Sequence, residues 1–144
     1  MSDEPSGARR PPAERAMAER AMAERVTPVV LIAEDEEPIA EALAYVVQSA
    51  GYRAVVAVHG SAALELAHAL RPDLIMTDLM MPQMGGEELI RALRQTWLGT
   101  VPPIVLMTAA GRRYAEAAGA DAVLLKPFEI EEVEALLHRF LPTL

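Results

Sequence analysis

Apolar positions along the chain fall into two alternating kinds of segment. Short apolar runs, several of them rich in Val and Ile, recur at Val29 to Ala33 (VVLIA), Arg53 to Val58 (RAVVAV), Asp73 to Thr77 (DLIMT), Ile104 to Thr108 (IVLMT) and Ala122 to Leu125 (AVLL). Between them, apolar residues space out at three and four positions, as one face of a helix requires. Ile39, Leu43, Val46 and Val47 do so after Pro38, which suits a helix N-terminus, and Gly51 closes that segment. Ser61 is an acceptable N-cap for a second helix through Leu70, with Leu64, Ala67 and Leu70 on one face. A third helix runs from Glu87 to Trp97 with Leu89, Ile90 and Leu93 apolar. A short fourth, Arg112 to Ala118, is stopped by Gly119. The last, Glu129 to Phe140, turns Ile130, Val133, Leu136, Leu137 and Phe140 inward.

Five βα units in succession predict an α/β fold. Strands apolar on both faces belong to a parallel sheet covered by helices on both sides. In open sheets of this kind, ligands bind beyond the carboxyl ends of the strands, where the strand order reverses. The first strand is followed by Glu34, Asp35, Glu36 and Glu37, and the third by Asp78. The fourth ends at Thr108 before Ala109 and Ala110, and the fifth is followed by Lys126, Pro127 and Phe128. Parallel strands therefore bring carboxylates, a hydroxyl and an ammonium to one edge.

Asp78 poses the sharpest question, because it stands between Leu74, Ile75 and Met76 on one side and Leu79, Met80 and Met81 on the other. An unpaired charge in apolar surroundings is costly. Either Asp78 is the first residue to leave the strand, or neighbours compensate it. Hard oxygen ligands in a chain without cysteine suit a hard cation such as Mg²⁺. A lysine and a hydroxyl beside them can hold an anion, and the whole set is equipment for phosphoryl transfer. Singly, each residue has an ordinary role: helix-start charge for the acidic run, turn or cap for Asp78, β-former for Thr108, surface lysine for Lys126. Their shared placement at strand ends favours the chemical reading.

Composition narrows the class further. At 144 residues the chain suits one domain with one core. The absence of cysteine rules out disulfides and thiolate metal sites and agrees with a reducing cytoplasm. A net charge of −8 disfavours direct binding to nucleic acid or to anionic membrane. No apolar run approaches the roughly 20 residues of a membrane span, so no membrane insertion is expected. The N-terminus lacks the apolar stretch of a signal peptide. Residues 1–25 differ in kind: MSDEPSGARRPP is polar and rich in Pro and Gly, then AERAM repeats from Ala13 and from Ala18. A five-residue period keeps no single face on a helix. The segment is expected to be a disordered or partly helical arm, with the folded domain over residues 26–144.

IAEDEEP, DLIMTDLMMPQMGG, VLMTA and LLKPF occur in the order of, and resemble, the motifs of the receiver domain of two-component response regulators. The resemblance covers about Val29 to Leu141 and implies a flavodoxin-like, doubly wound five-stranded parallel sheet of order 2-1-3-4-5. It further implies that Asp78 is the phosphoacceptor, taking a phosphoryl group from a phosphohistidine on a sensor histidine kinase or histidine phosphotransfer protein. Glu34, Asp35, Asp78 and the backbone carbonyl of Met80 correspond to the Mg²⁺ set, in which Mn²⁺ can substitute. Asp35 corresponds to the direct ligand and Glu34 to one acting through water. Lys126 corresponds to the lysine that pairs with the acidic cluster and then with the phosphoryl oxygens. Thr108 corresponds to the hydroxyl that moves onto them, and Pro127 to a proline preceded by a cis peptide. Such a domain catalyses its own phosphorylation and dephosphorylation without being a conventional turnover enzyme.

Three features depart from the family. The switch aromatic, three residues before the lysine, is replaced by Val123, and Tyr114 lies elsewhere. The segment from Thr108 to Lys126 is shorter by about four residues, roughly one helical turn, so the fourth helix is shortened and an altered or absent dimer through it is expected. Met80 and Ala110 flank the reactive centre, and neither side chain can orient a water by hydrogen bonding. Because the chain ends at Leu144, the expected output is a stand-alone domain acting through a protein partner or a phosphorelay. The alternatives are a receiver-like scaffold that works without phosphorylation and an aspartyl-phosphate phosphatase. The second needs an acid two residues after the nucleophile, where Met80 stands. His59, His68 and His138 lack metal-ligand spacing, Gly85-Gly86 reads as a turn, and Trp97 lies away from the site.

Overall fold

The computed structural model describes residues 11–17 and 27–142. Residues 12–17 are helical and 11–17 exposed; the rest of the arm lies outside the described residues. From Val29 the elements alternate: β1 (Val29–Ala33), α1 (Glu37–Ser49), β2 (Arg53–Ala57), α2 (Gly60–Leu70), β3 (Leu74–Asp78), α3 (Gly86–Thr96), β4 (Ile104–Thr108), α4 (Arg112–Ala117), β5 (Ala122–Leu125) and α5 (Ile130–Phe140). The strands form one parallel sheet in the order β2-β1-β3-β4-β5, as expected. Among the described residues no helix is long and apolar enough to cross a membrane.

Successive side chains of a strand point to opposite faces, so a doubly covered sheet needs two cores. Val30, Ile32, Leu74, Met76, Val105 and Met107 face one core with Leu43, Val46 and Val47 of α1 and Val133 and Leu137 of α5. The intervening residues Leu31, Ala33, Ile75, Ile104 and Leu106 face the other, with Ala63 and Ala67 of α2 and Leu89, Ile90 and Leu93 of α3. Of the few aromatics, Tyr52 is buried in the first core, Phe128 and Phe140 pack against it, and Trp97 packs against the second. Ile130 is not inward: it opens α5 and is 54% exposed, and the Glu129 amide before it donates to Glu132 Oε1 at 2.8 Å.

Two aspartates fasten the amino-terminal edge of the sheet. The Asp73 amide donates to the Val29 carbonyl at 2.8 Å, and the Val29 amide donates back to Asp73 Oδ2 at 2.8 Å. Asp121 and Ile104 repeat the exchange, both bonds again 2.8 Å. Each pair satisfies backbone groups where the ladder starts. This explains why Asp73, expected to begin a strand, lies just outside β3, which instead extends through Asp78.

The remaining boundary differences are local. α2 is capped by His59 rather than Ser61: the His59 ring accepts from the Ala62 amide at 3.1 Å. α1 begins at Glu37 with Pro38 in its first turn, and Gly51 after it takes φ +97, a left-handed conformation that glycine adopts without a Cβ clash. α4 has six residues, which bears out the shortened fourth helix.

Candidate functional site

The register of the sheet determines which side chains meet. Ala33 pairs with Thr77, Asp78 with Met107, and Thr108 with Leu125. The Lys126 amide extends that ladder by donating to the Thr108 carbonyl at 2.9 Å. Glu34, Asp78, Thr108 and Lys126 therefore leave adjacent strands at one level. Of the two alternatives left open for Asp78, escape from the strand does not hold. It is the last residue of β3 and only 7% exposed, so compensation by neighbours is the operative answer.

That compensation is Lys126, the only lysine in the chain. Its Nζ lies 2.8 Å from Glu34 Oε1, 3.1 Å from Asp78 Oδ1 and 3.9 Å from Glu36 Oε1, with the lysine side chain 13% exposed. Glu34 is fully buried, and its second oxygen accepts from the Glu36 amide at 3.2 Å. Both carboxylate oxygens of Glu34 thus have donors before any ligand arrives. Glu34, Asp35 and Asp78 each offer a carboxylate oxygen within 4.8 Å of the others, and Asp35 is exposed.

Burial pushes the Glu34 and Asp78 carboxyls above their ordinary values, against the opposing pull of hydrogen bonds and charge from Lys126. Burial alone would lower the Lys126 ammonium. Hydrogen bonds to Glu34 and Asp78 and their charges overcome it and carry the lysine above its ordinary value. The site holds more negative charge than Lys126 offsets, which is the electrostatic condition for attracting a cation. The donor set also fits one: hard oxygens, with Asp35 open to solvent and Glu34 already engaged, agree with a direct and an indirect ligand respectively.

Thr108 is buried at the end of β4, and its Oγ1 accepts from the Ala110 amide at 2.9 Å. A hydroxyl that accepts still has its hydrogen to donate. The Lys126–Pro127 peptide is cis, as expected. Met80 projects its side chain outward, 76% exposed. A cavity of about 510 Å³ is bounded by Asp35, Glu36, Asp78, Met80, Thr108 and Lys126, with Leu79, Ala109 and Ala110 completing it. Val123 is half-buried on β5 against the core that contains Leu106.

Sequence patterns missed what depends on close approach. Gly86 is buried at the start of α3, where its amide donates to the Leu79 carbonyl at 2.9 Å. A Cβ there would overlap the Asp78 carbonyl oxygen. Gly60 is held as tightly against the Met84 carbonyl. Gln83 and Met84 adopt φ of +52 and +96. The loop after Asp78 is therefore a fixed object, and glycine at position 86, eight residues after a buried aspartate, was the available signal.

A family model described as "Response regulator receiver domain" matches residues 30–138. The alkaline phosphatase synthesis transcriptional regulatory protein PhoP of Bacillus subtilis is 35% identical over 116 residues, spanning 78% of this chain and 48% of that protein. The DNA-binding dual master transcriptional regulator RpaA of Synechocystis is 37% identical over 120 residues, spanning 78% and 50%. The chain thus spans about half the length of the curated relatives it matches. Among solved structures, the chemotaxis response regulator CheY4 of Vibrio cholerae is 32% identical with a TM-score of 0.74, over 81% of this chain and 100% of that one. The receiver domain of sensor histidine kinase PA1611 from Pseudomonas aeruginosa, with a magnesium ion coordinated in its active site cleft, is 28% identical with a TM-score of 0.73. It covers 80% of this chain and 98% of its own.

Proposed function

Because the chain belongs to the response regulator receiver domain family, we propose that it accepts a phosphoryl group from a histidine kinase or histidine phosphotransfer protein onto Asp78 and signals through protein contacts or a phosphorelay in the cytoplasm. The observation that carries this reading is the Lys126 ammonium shared between buried Glu34 and Asp78 at 2.8 and 3.1 Å. A carboxylate oxygen of Asp78 attacks phosphorus. The nitrogen–phosphorus bond of the donor breaks, and its electron pair returns to the donor imidazole. Asp35, Asp78 and the Met80 carbonyl would hold Mg²⁺, with Glu34 acting through water. Bound there, the ion supplies charge neutralisation for the phosphoryl oxygens.

Phosphorylation exchanges one negative charge at Asp78 for nearly two and adds three acceptor oxygens. Lys126 turns from Glu34 to those oxygens. The Thr108 hydroxyl, which still has its hydrogen, donates to them and draws the loop of Ala109 and Ala110 inward. With Val123 on β5, that movement reaches the partner surface through the backbone rather than through an aromatic flip.

Incubation with acetyl phosphate and Mg²⁺ followed by intact mass tests the assignment. Wild type gains one phosphoryl group, and Asp78→Asn gains none. No gain in wild type at any Mg²⁺ concentration would favour the phosphorylation-independent scaffold instead.

Two expectations follow from the cavity walls and the carboxyl shifts. Neither Met80 nor Ala110 can orient an attacking water, so phosphoryl-Asp78 is long-lived; loss of label within seconds from the isolated protein would contradict this. Mg²⁺ binds only the ionised cluster. With the Asp78 and Glu34 carboxyls held above their ordinary values, affinity declines on acidification sooner than for unperturbed carboxylates. Calorimetric titration across that range reads the decline directly.

A further inference from the structure

We infer that His59 is a positioning residue for the loop of residues 79–85 and, through it, for the Met80 carbonyl; the link to Met80 rests on the phosphoacceptor reading above. His59 precedes α2 with an extended backbone, φ −157 and ψ 167. Its Nδ1 accepts from the Ala62 amide at 3.1 Å and lies 2.9 Å from Ser61 Oγ. An amide can donate only to a lone pair, so Nδ1 carries no hydrogen, the ring is the Nε2–H tautomer, and the Ser61 hydroxyl donates to it. The imidazole thus satisfies a helix-start amide that has no partner within the helix.

The cap frees a neighbouring amide for other use. The Ser61 amide donates across to the Gln83 carbonyl at 3.1 Å, and Gly60 packs directly on the Met84 carbonyl. Gln83 and Met84 are the two residues of the loop with positive φ. Such conformations at non-glycine residues persist only where their surroundings over-determine them. The other end of the loop is closed by the Gly86 amide on the Leu79 carbonyl. The loop after Asp78 is therefore pinned between two helix starts, α3 and α2, and the second is organised by His59. Without the ring, the first turn of α2 loosens, the bond from Ser61 to Gln83 weakens, and the loop that presents the Met80 carbonyl relaxes.

The test compares His59→Ala and His59→Asn in the full chain. Hydrogen exchange is measured over residues 79–86 in the metal-free protein, and Mg²⁺ affinity by calorimetry. His59→Ala is expected to speed exchange in that loop and to weaken Mg²⁺ binding, each by about fivefold, the factor that a typical N-cap carries. Exchange in β1, β3 and β4 should change less. His59→Asn, whose amide oxygen is a preferred cap acceptor, restores both quantities. Unchanged loop exchange in His59→Ala, equal acceleration throughout the sheet, or failure of asparagine to restore the loop would overturn the inference. If wild type itself binds no Mg²⁺, the proposed function fails while the exchange data still decide whether His59 holds the loop.

Discussion

Lys126→Met leaves the protein several kcal/mol less stable at neutral pH without metal, and unable to hold a phosphoryl group on Asp78 at wild-type rates. Methionine keeps most of the stem and removes the charge together with its N–H donors, so the loss is one of polar interaction rather than of packing. Two buried carboxylates, Glu34 and Asp78, then lose the ammonium they share. Breaking one side of a buried ion pair costs about 3–5 kcal/mol, on the order of 10 °C or more in Tm for a domain of this size. The pH dependence identifies the cause. In wild type, burial already raises both carboxyls, and removing Lys126 raises them further. A carboxyl raised by folding favours the folded state below the unfolded pKa, and that advantage is lost as pH rises through the folded value. The deficit of Lys126→Met is therefore largest at neutral pH and shrinks as the medium is acidified towards the ordinary carboxylate range. Mg²⁺ also reduces it. Urea denaturation at neutral and mildly acidic pH, with and without Mg²⁺, reads all three effects; a deficit independent of pH would point to packing and sink the electrostatic account. At the other extreme, Lys126 is raised above its ordinary value, so its contribution in wild type is complete below that value and disappears as alkali titrates it.

Gly86→Ala destabilises the domain although alanine is the better helix former. Helix propensity favours alanine over glycine by about 1 kcal/mol in a helix interior, and the φ of Gly86 is not in the left-handed region. Contact decides the sign. The new Cβ would overlap the Asp78 carbonyl oxygen and approach Leu106 Cδ1 to 2.8 Å and Leu79 Cα to 3.1 Å. The first and last of these belong to backbone that cannot rotate aside. Overpacking of this kind costs about 1–3 kcal/mol, and here relief moves the start of α3 away from the end of β3. Acetyl phosphate labelling should slow together with the fall in stability. A variant as stable as wild type, or more so, would show that the loop after Asp78 yields where its two anchored ends say it cannot.

Much of this molecule is legible in the sequence because its signals are local. β4 and β5 begin and end where their apolar runs do, since Pro102 and Pro103 precede one and Asp121 the other. The convergence of Glu34, Asp78 and Lys126 follows from parallel strands of near-equal length. What escaped depends on contacts distant in sequence. Asp73 reads as the start of a strand until the Val29 amide is seen to need its carboxylate. Ser61 is the better cap by residue type, yet His59 has the backbone conformation that places its ring over the Ala62 amide. Ile130 fits the apolar face by spacing, but its position in the first turn of α5 leaves it in solvent. The acidic motif shows that Glu34 is part of the site, but not that both of its oxygens are already engaged.

A chain with twelve arginines and one lysine carries a single side-chain amine, and that amine lies between Glu34 and Asp78. Amine-selective acylation of the folded protein thus addresses one ε-amino group, and its rate follows how tightly that group is held. In the metal-free domain the amine is protonated and enclosed by carboxylates, so labelling is slow. Any ligand, partner or substitution that draws Lys126 away from Glu34 changes the rate. One residue then gives a mass-spectrometric readout of occupancy at Asp78, without a probe having to be introduced.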